Sequence, residues 1–367
     1  MAHVDDTLDR ALRLVHDYSA RGPLTLKNVV RGDREEVVVE AIAPLPQALP
    51  RLVADALTQL RAAMEHALYA EVEAQLARPL RDEEAVRIEV PACVTAAAWT
   101  KWLGNTKRSQ LAPLRVGTPL TERLERLQPF QRSDPDDHPL QLLAKHTNTA
   151  KHRTPAQIAT RIGTVYPDDP ASPLEAVVPA DLRPRPGGGA AVQVGDTIAS
   201  APRGQRIAFS VVPTVCLRRP HTGVWTILAH ELRDLEEWVR TIALPVLLAG
   251  RHDLPVIPPQ LDIATGYDDV RTRLAEAGTV PAAERSRARF GAAVARTGLV
   301  DVLAPSAVSP DAEIVRAWVA ALTDAEAVER AIRLAAVRHD LAAIVVVFRA
   351  LIAEARAHAA RAINSSD

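Results

Sequence analysis

The chain has 367 residues, of which 47% are hydrophobic and 24% charged, with a formal net charge of −1; it is too long for one small domain and ordinary in composition for a protein with sizeable cores. That charge excludes a general attraction to polyanions, so any contact with nucleic acid must come from a local patch. Two distant cysteines, Cys93 and Cys216, exclude a disulfide framework and show no metal-ligand spacing.

The polar start MAHVDDTLDR does not read as a signal peptide. The most apolar runs, Thr241–Gly250 and Leu341–Val347, fall short of the roughly 20 residues of a membrane span. A cytoplasmic protein with no membrane partner is expected.

In chain order, Asp5–Ser19 has the apolar spacing of an amphipathic helix, closed by Gly22-Pro23. Leu24–Arg31 and Glu35–Ile42 read as strands joined at Gly32-Asp33. A long helix is predicted over Arg51–Ala77, where Ala56, Leu57, Leu60, Met64, Leu68 and Val72 recur at spacings of three and four. Val86–Val90 is predicted as a short strand and Thr95–Leu103 as a helix carrying Trp99 and Trp102. Gly104–Arg115 reads as a lysine-bearing loop, and Pro119–Leu127 as a helix with Thr118 or Thr121 as cap. Another helix is predicted from Pro139 to Arg153, because proline suits a first helical turn.

Beyond Pro155 the composition changes. Ala190–Val194, Thr197–Ser200 and Arg206–Val212 alternate like strands around the turn Gly187–Gly189. A small β insertion is therefore expected over residues 164–219. Helix resumes over Thr222–Leu248, with Pro245 expected to kink or end it. A proline-rich linker follows at 251–262, and then helices at Asp268–Ala277, Ala282–Arg296, Asp311–Ala321 and Asp324–Ala362. The predicted fold class is mainly α. A helical bundle spans 1–250 with the β insertion inside it, and a C-terminal helical domain spans 263–367.

Two polar clusters carry candidate chemistry. The first is Arg61, Glu65, His66 and Tyr69; the second is Lys145, His146, Asn148, Lys151, His152 and Arg153, with Arg161 further on. Arginine with histidine, and no acidic ligand set for a metal, suits phosphoryl chemistry without a cofactor. Histidine as a residue type moves protons near neutral pH, and a guanidinium holds phosphate. Against this, Glu65 stands where it can pair with Arg61 at i,i+4, and a histidine on a packed helix is more often a structural, hydrogen-bonded residue. The Lys145–Arg153 run also suits a helix C-terminus, which favours cations. His339-Asp340 is read as a helix-surface pair, and His221 and His230 as structural.

The segments ADALTQLRAAMEHALYA and HPLQLLAKHTNTAKHR, with Leu127-Gln128-Pro129-Phe130 between them, resemble the signatures of a group of bacterial proteins similar to HEPN-domain proteins. That resemblance implies a helical bundle, often dimeric, acting as a metal-independent ribonuclease in anti-phage defence or toxin–antitoxin growth control. It implies Arg61 and His66 as the catalytic pair, with Glu65, Tyr69, Asn148, Lys151, His152 and Arg153 binding substrate. Ala62, Gln59 and Ala150 depart from the usual pattern. RNA is the implied substrate, and neither metal nor cofactor is required. A homodimer is expected from the width of the apolar helix faces, with a protein partner as the role open to the C-terminal domain. Two alternatives stay open: a non-catalytic scaffold for a protein or nucleic acid, and a small-molecule enzyme using the cleft between helices.

Overall fold

The structure is a computed structural model and describes residues 1–152, 155–167, 173–176, 191–205, 209–251, 280–304, 311–337 and 339–364. They form two compact units, Met1–Ala283 and Glu284–Asp367.

The first unit begins with helix α1 (Ala2–Ala20) and the hairpin β1 (Leu24–Arg31) and β2 (Arg34–Ile42). Arg31 pairs with Arg34, so Gly32 and Asp33 alone make the turn. Gly32 takes φ +64°, which glycine adopts without steric cost and tight hairpins demand. Helix α2 (Leu49–Leu76) follows, and its apolar stripe Val53, Ala56, Leu57, Leu60, Met64, Leu68 and Val72 is fully buried. Short helices α3 (Asp82–Ala85), α4 (Ala96–Leu103) and α5 (Pro119–Arg126) come next. Thr95 caps α4 by accepting the Ala98 N–H, and Thr118 caps α5 with Thr121. Helix α6 (Pro139–His152) packs on α2.

The mainly-α assignment is corrected by the strands. β1 and β2 are edge and neighbour in a four-stranded sheet ordered β1-β2-β5-β4, with β4 at Glu175–Ala176 and β5 at Thr197–Pro202. Val37 lies opposite Ala199 in it, joining residues some 160 positions apart. A second antiparallel sheet, β3-β6-β7, is built from Ile158–Pro167, Phe209–Arg218 and Trp225–Ile227. Val37, Val39 and Ile198 of the first sheet share a core with Ile162 and Val165 of the second. The unit is mixed α/β with helices dominant, because the N-terminal hairpin is part of the sheet structure and not an accessory of a bundle.

Several local expectations also change. Val86–Val90 joins no strand, since the backbone of Val90 is satisfied by side chains of α2. Residues 191–194 form no strand; they lead into the turn before β5. The helix expected from Thr222 starts only at Leu228, after β7. It runs as α7 (Leu228–Trp238), a π turn (Val239–Ala243) and α8 (Leu244–Ala249). Widening to a π turn lets the chain pass Pro245, whose missing N–H and bulky ring break ordinary helical pairing. The Gly187–Gly189 turn, the 251–262 linker apart from Arg251, and the Asp268–Ala277 helix lie outside the described residues.

The second unit holds most of α9 (Ala282–Leu303), with α10 (Ala312–Ala321), α11 (Asp324–Ala336) and α12 (Leu341–Asn364). Leu299, Leu303, Val315, Trp318, Val319 and Leu351 form its core. The single helix predicted over Asp324–Ala362 is two helices. Asp340 accepts the Ala343 N–H and so starts α12 anew, which also accounts for half of the His339-Asp340 pair. Among the described residues no helix is long and apolar enough to cross a membrane.

Candidate functional site

A cleft of about 820 Å³ opens between α2, α6 and the segment from Ile88 to Arg108. Helical spacing builds two of its walls. Thr58, Arg61, Ala62, Glu65 and His66 recur every three or four residues beside the buried stripe of α2, and Gln141, Ala144, Lys145, Asn148 and Lys151 do the same on α6. Each helix therefore packs with one face and lends the adjoining face to the cleft.

Arg61 and Glu65 form an ion pair one turn apart, Nε donating to Oε1 at 2.8 Å. Arg61 Nη2 also donates to the Val90 carbonyl, and Glu65 Oε2 accepts the Val90 N–H at 2.8 Å. The pair thus holds the third wall against α2 and supplies Val90, fully buried, with both backbone partners. Burial pushes the Glu65 carboxyl up from its ordinary range, and the Arg61 charge opposes that. Arg61 Nη1 is buried with no hydrogen-bond partner among the described residues. A two-pronged grip on phosphate is therefore closed to Arg61, and the third nitrogen is itself sealed from solvent.

The third wall is stiffened by stacking. Trp99 and Trp102 lie 5.1 Å apart with 10° between their planes, and the Arg108 guanidinium sits 4.1 Å over the Trp102 ring. Arg108 also donates to the Trp102 carbonyl at 2.8 Å and to Glu89 Oε1 at 3.0 Å. Around the cleft, His66, Asn148, Lys101, Lys145 and Lys151 are exposed. The three lysines make no ion pair among the described residues. Five cationic side chains line the cleft against the two carboxylates Glu65 and Glu89. A chain of almost no net charge thus concentrates positive charge here.

No protein-family model, curated protein or solved structure matches the chain. The chemistry of the cleft therefore carries the functional reading.

Of the residues singled out in the sequence, Arg61, Glu65, His66, Asn148 and Lys151 meet in this cleft. Tyr69 is not among its lining residues; burial and the neighbouring Glu73 push its phenol up. Arg153 and the side chain of His152 lie outside the described residues. Lys145 joins the cleft, whereas His146 points elsewhere on α6 and lines a separate small pocket of about 190 Å³ with Gln157 and Arg218. Arg161 lies on β3. Among the described residues no three His, Cys, Asp or Glu side chains gather as metal ligands.

Sequence reasoning missed Lys101, Arg108 and Gln141 as members of the site. Lys101 and Trp102 are adjacent on a helix that had been recognised, but nothing local says that this helix faces α2. Gln141 stands among Leu140, Leu142 and Leu143. A lone amide inside an apolar run was the signal available.

Proposed function

We propose that the cleft binds single-stranded RNA and cleaves it through the ribose 2′-hydroxyl without a metal ion. The observation that carries this reading is an exposed His66 in a cleft whose lysines, Lys101, Lys145 and Lys151, have no partner among the described residues. Unpaired cations on a concave surface suit a phosphodiester backbone. The resemblance of α2 and α6 to HEPN-type helices supports the same reading.

In this mechanism His66 takes the proton of the 2′-hydroxyl, and the 2′-oxygen attacks phosphorus. The bond to the 5′-oxygen breaks, that oxygen leaves with a proton from solvent, and a 2′,3′-cyclic phosphate remains. Arg61 holds the Val90 wall of the cleft in place through Glu65 and the Val90 carbonyl, and the lysines offset the added charge of the transition state. Of the two carboxylates of the cleft, Glu65 is held by Arg61 and Val90, and Glu89 accepts from Arg108 through Oε1.

One observation favours a second reading, a cleft that binds RNA without cutting it. Two of the three nitrogens of the Arg61 guanidinium are committed to Glu65 and Val90, as in a purely structural clamp.

One experiment separates the two. Purified protein is incubated with single-stranded RNA, with and without EDTA, beside His66→Ala and Arg61→Lys. Cleavage that resists EDTA and falls about a hundred- to ten-thousand-fold in His66→Ala is expected, with cyclic phosphate ends. Arg61→Lys should fail nearly as badly, because an ammonium cannot reproduce the forked hold on Glu65 and Val90 that fixes the cleft wall. Cleavage unchanged in His66→Ala defeats the mechanism; binding without cleavage selects the second reading.

A further inference from the structure

We infer that the floor of the cleft is a nucleobase pocket that reads adenine through the Gln141 amide, which makes adenosine-bearing single strands its preferred ligand. The inference rests on the reading of the cleft as an RNA site and goes beyond it, since lysines and His66 recognise only the sugar-phosphate chain.

Gln141 is 5% exposed, lines the cleft and makes no side-chain hydrogen bond to any described residue. Its amide atoms are not sealed in, unlike the buried polar atoms left without partners elsewhere in the chain. What little of Gln141 is accessible therefore includes the amide. A glutamine at this depth has given up most of its hydration and receives no hydrogen bond from the described residues in return. Such a group favours a ligand that supplies both a donor and an acceptor.

Its surroundings narrow the choice. Ala62, Ala92, Ala98, Ala144, Ile88 and Pro91 line the same cleft, small or apolar side chains against which a base ring can lie. The primary carboxamide is the partner of adenine, with Oε1 accepting from the exocyclic amine and Nε2 donating to the adjacent ring nitrogen. Guanine is disfavoured on the same grounds. Its usual reader is an arginine fork, but here Nε and Nη2 of Arg61 are occupied. The Glu65 oxygens, the neighbouring acceptors for guanine's N1–H and amine, each already take one hydrogen bond, from Arg61 and from Val90.

The test is fluorescence anisotropy at fixed low salt with labelled 2′-O-methyl single strands, which cannot be cut by 2′-attack. One strand is all uridine and the other carries internal adenosines. A good two-point contact discriminates by about tenfold or more, so the adenosine strand should bind about tenfold more tightly. Gln141→Leu, close in shape, should bring the two strands to one affinity, and so should Gln141→Glu, which loses the donor. Thermal melts near that of the parent confirm that both variants are folded. Lys145→Ala should weaken both strands by the same factor, leaving the ratio intact. Equal affinities in the parent protein, or a preference that survives Gln141→Leu, overturn the adenine pocket while leaving the RNA reading standing. Absence of binding to either strand overturns both.

Discussion

Histidines at different places in the main unit have opposite chemistry because of what surrounds them. His66 is exposed at the cleft, where the proposed mechanism employs it. His146 is 5% exposed, its Nε2 has no partner among the described residues, and His221 and Arg219 face it. Burial, and then those two neighbours, lower its pKa to about 4. His138 is also lowered to about 4, by burial and by Arg132; its ring meets Trp238 edge-on at 5.4 Å, and Nδ1 accepts the Leu140 N–H. Both lie below the 6.5 of an unfolded histidine, so between about pH 6.5 and 4 the unfolded chain binds more protons than the folded one. Stability is then fully present above pH 6.5 and is lost as pH falls through that window. For His146 the gap is worth about 3 kcal/mol once pH reaches 4. Melting temperature measured from pH 7.5 down to 4.5 should fall steeply, and His146→Gln should flatten the slope. A parent protein equally stable at both ends would refute this account.

At the scale of elements, the long helix α2 ends under avoidable strain. Ala77 closes it in the left-handed region, φ 53°, with its N–H returned to the Ala74 carbonyl at 3.3 Å. Glycine takes that conformation without a Cβ clash. Ala77→Gly should therefore stabilise the protein by about 0.5–1 kcal/mol, after the added freedom of the unfolded chain is set against the relief. Urea denaturation measures it, and a loss of stability would show that the cap is unstrained. Helices α2 and α6 were legible because an apolar stripe and its polar neighbours repeat within a few residues, and that same repetition placed Arg61, His66, Asn148 and Lys151 on cleft-facing surfaces. The sheets were not legible in the same way. β1 and β2 look like a self-contained hairpin, and no local pattern announces that β2 pairs with β5 so far along the chain. Val86–Val90 has strand composition, but its partners are the side chains of Arg61 and Glu65, a pairing that propensity does not encode. Gln141 was hidden for a related reason: the cleft it lines is completed by α2 and by Ile88 to Arg108, which its own helix does not announce.

At the scale of the whole molecule, the two units have separate cores, the larger built on α2, α6 and α7 and the smaller on α9 to α12. Every residue of the cleft belongs to the first unit, so its binding chemistry should not require the second. Where the first unit ends is a physical question. The backbone N–H of Ala282 donates to Asp5 Oδ1 at 2.7 Å, and Ala282 is buried in the main core with Ala283 packed against it. Asp5 is itself buried on α1, near the partly buried Met1 ammonium. A chain ending at Gly250 takes away one of the hydrogen bonds that keep this carboxylate satisfied, whereas a chain ending at Ala283 keeps it. Loss of a hydrogen bond to a charged group costs about 1.5–3 kcal/mol, so the shorter chain should unfold at distinctly lower urea. On the RNA reading proposed above, the chain ending at Ala283 should bind single-stranded RNA with the salt dependence of the full protein, since the cleft lysines are all retained and ion release sets that slope. Equal stability of the two truncated chains would show that Ala282 contributes nothing to the unit. Loss of RNA binding by a folded chain ending at Ala283 would place part of the binding surface in the helices beyond it.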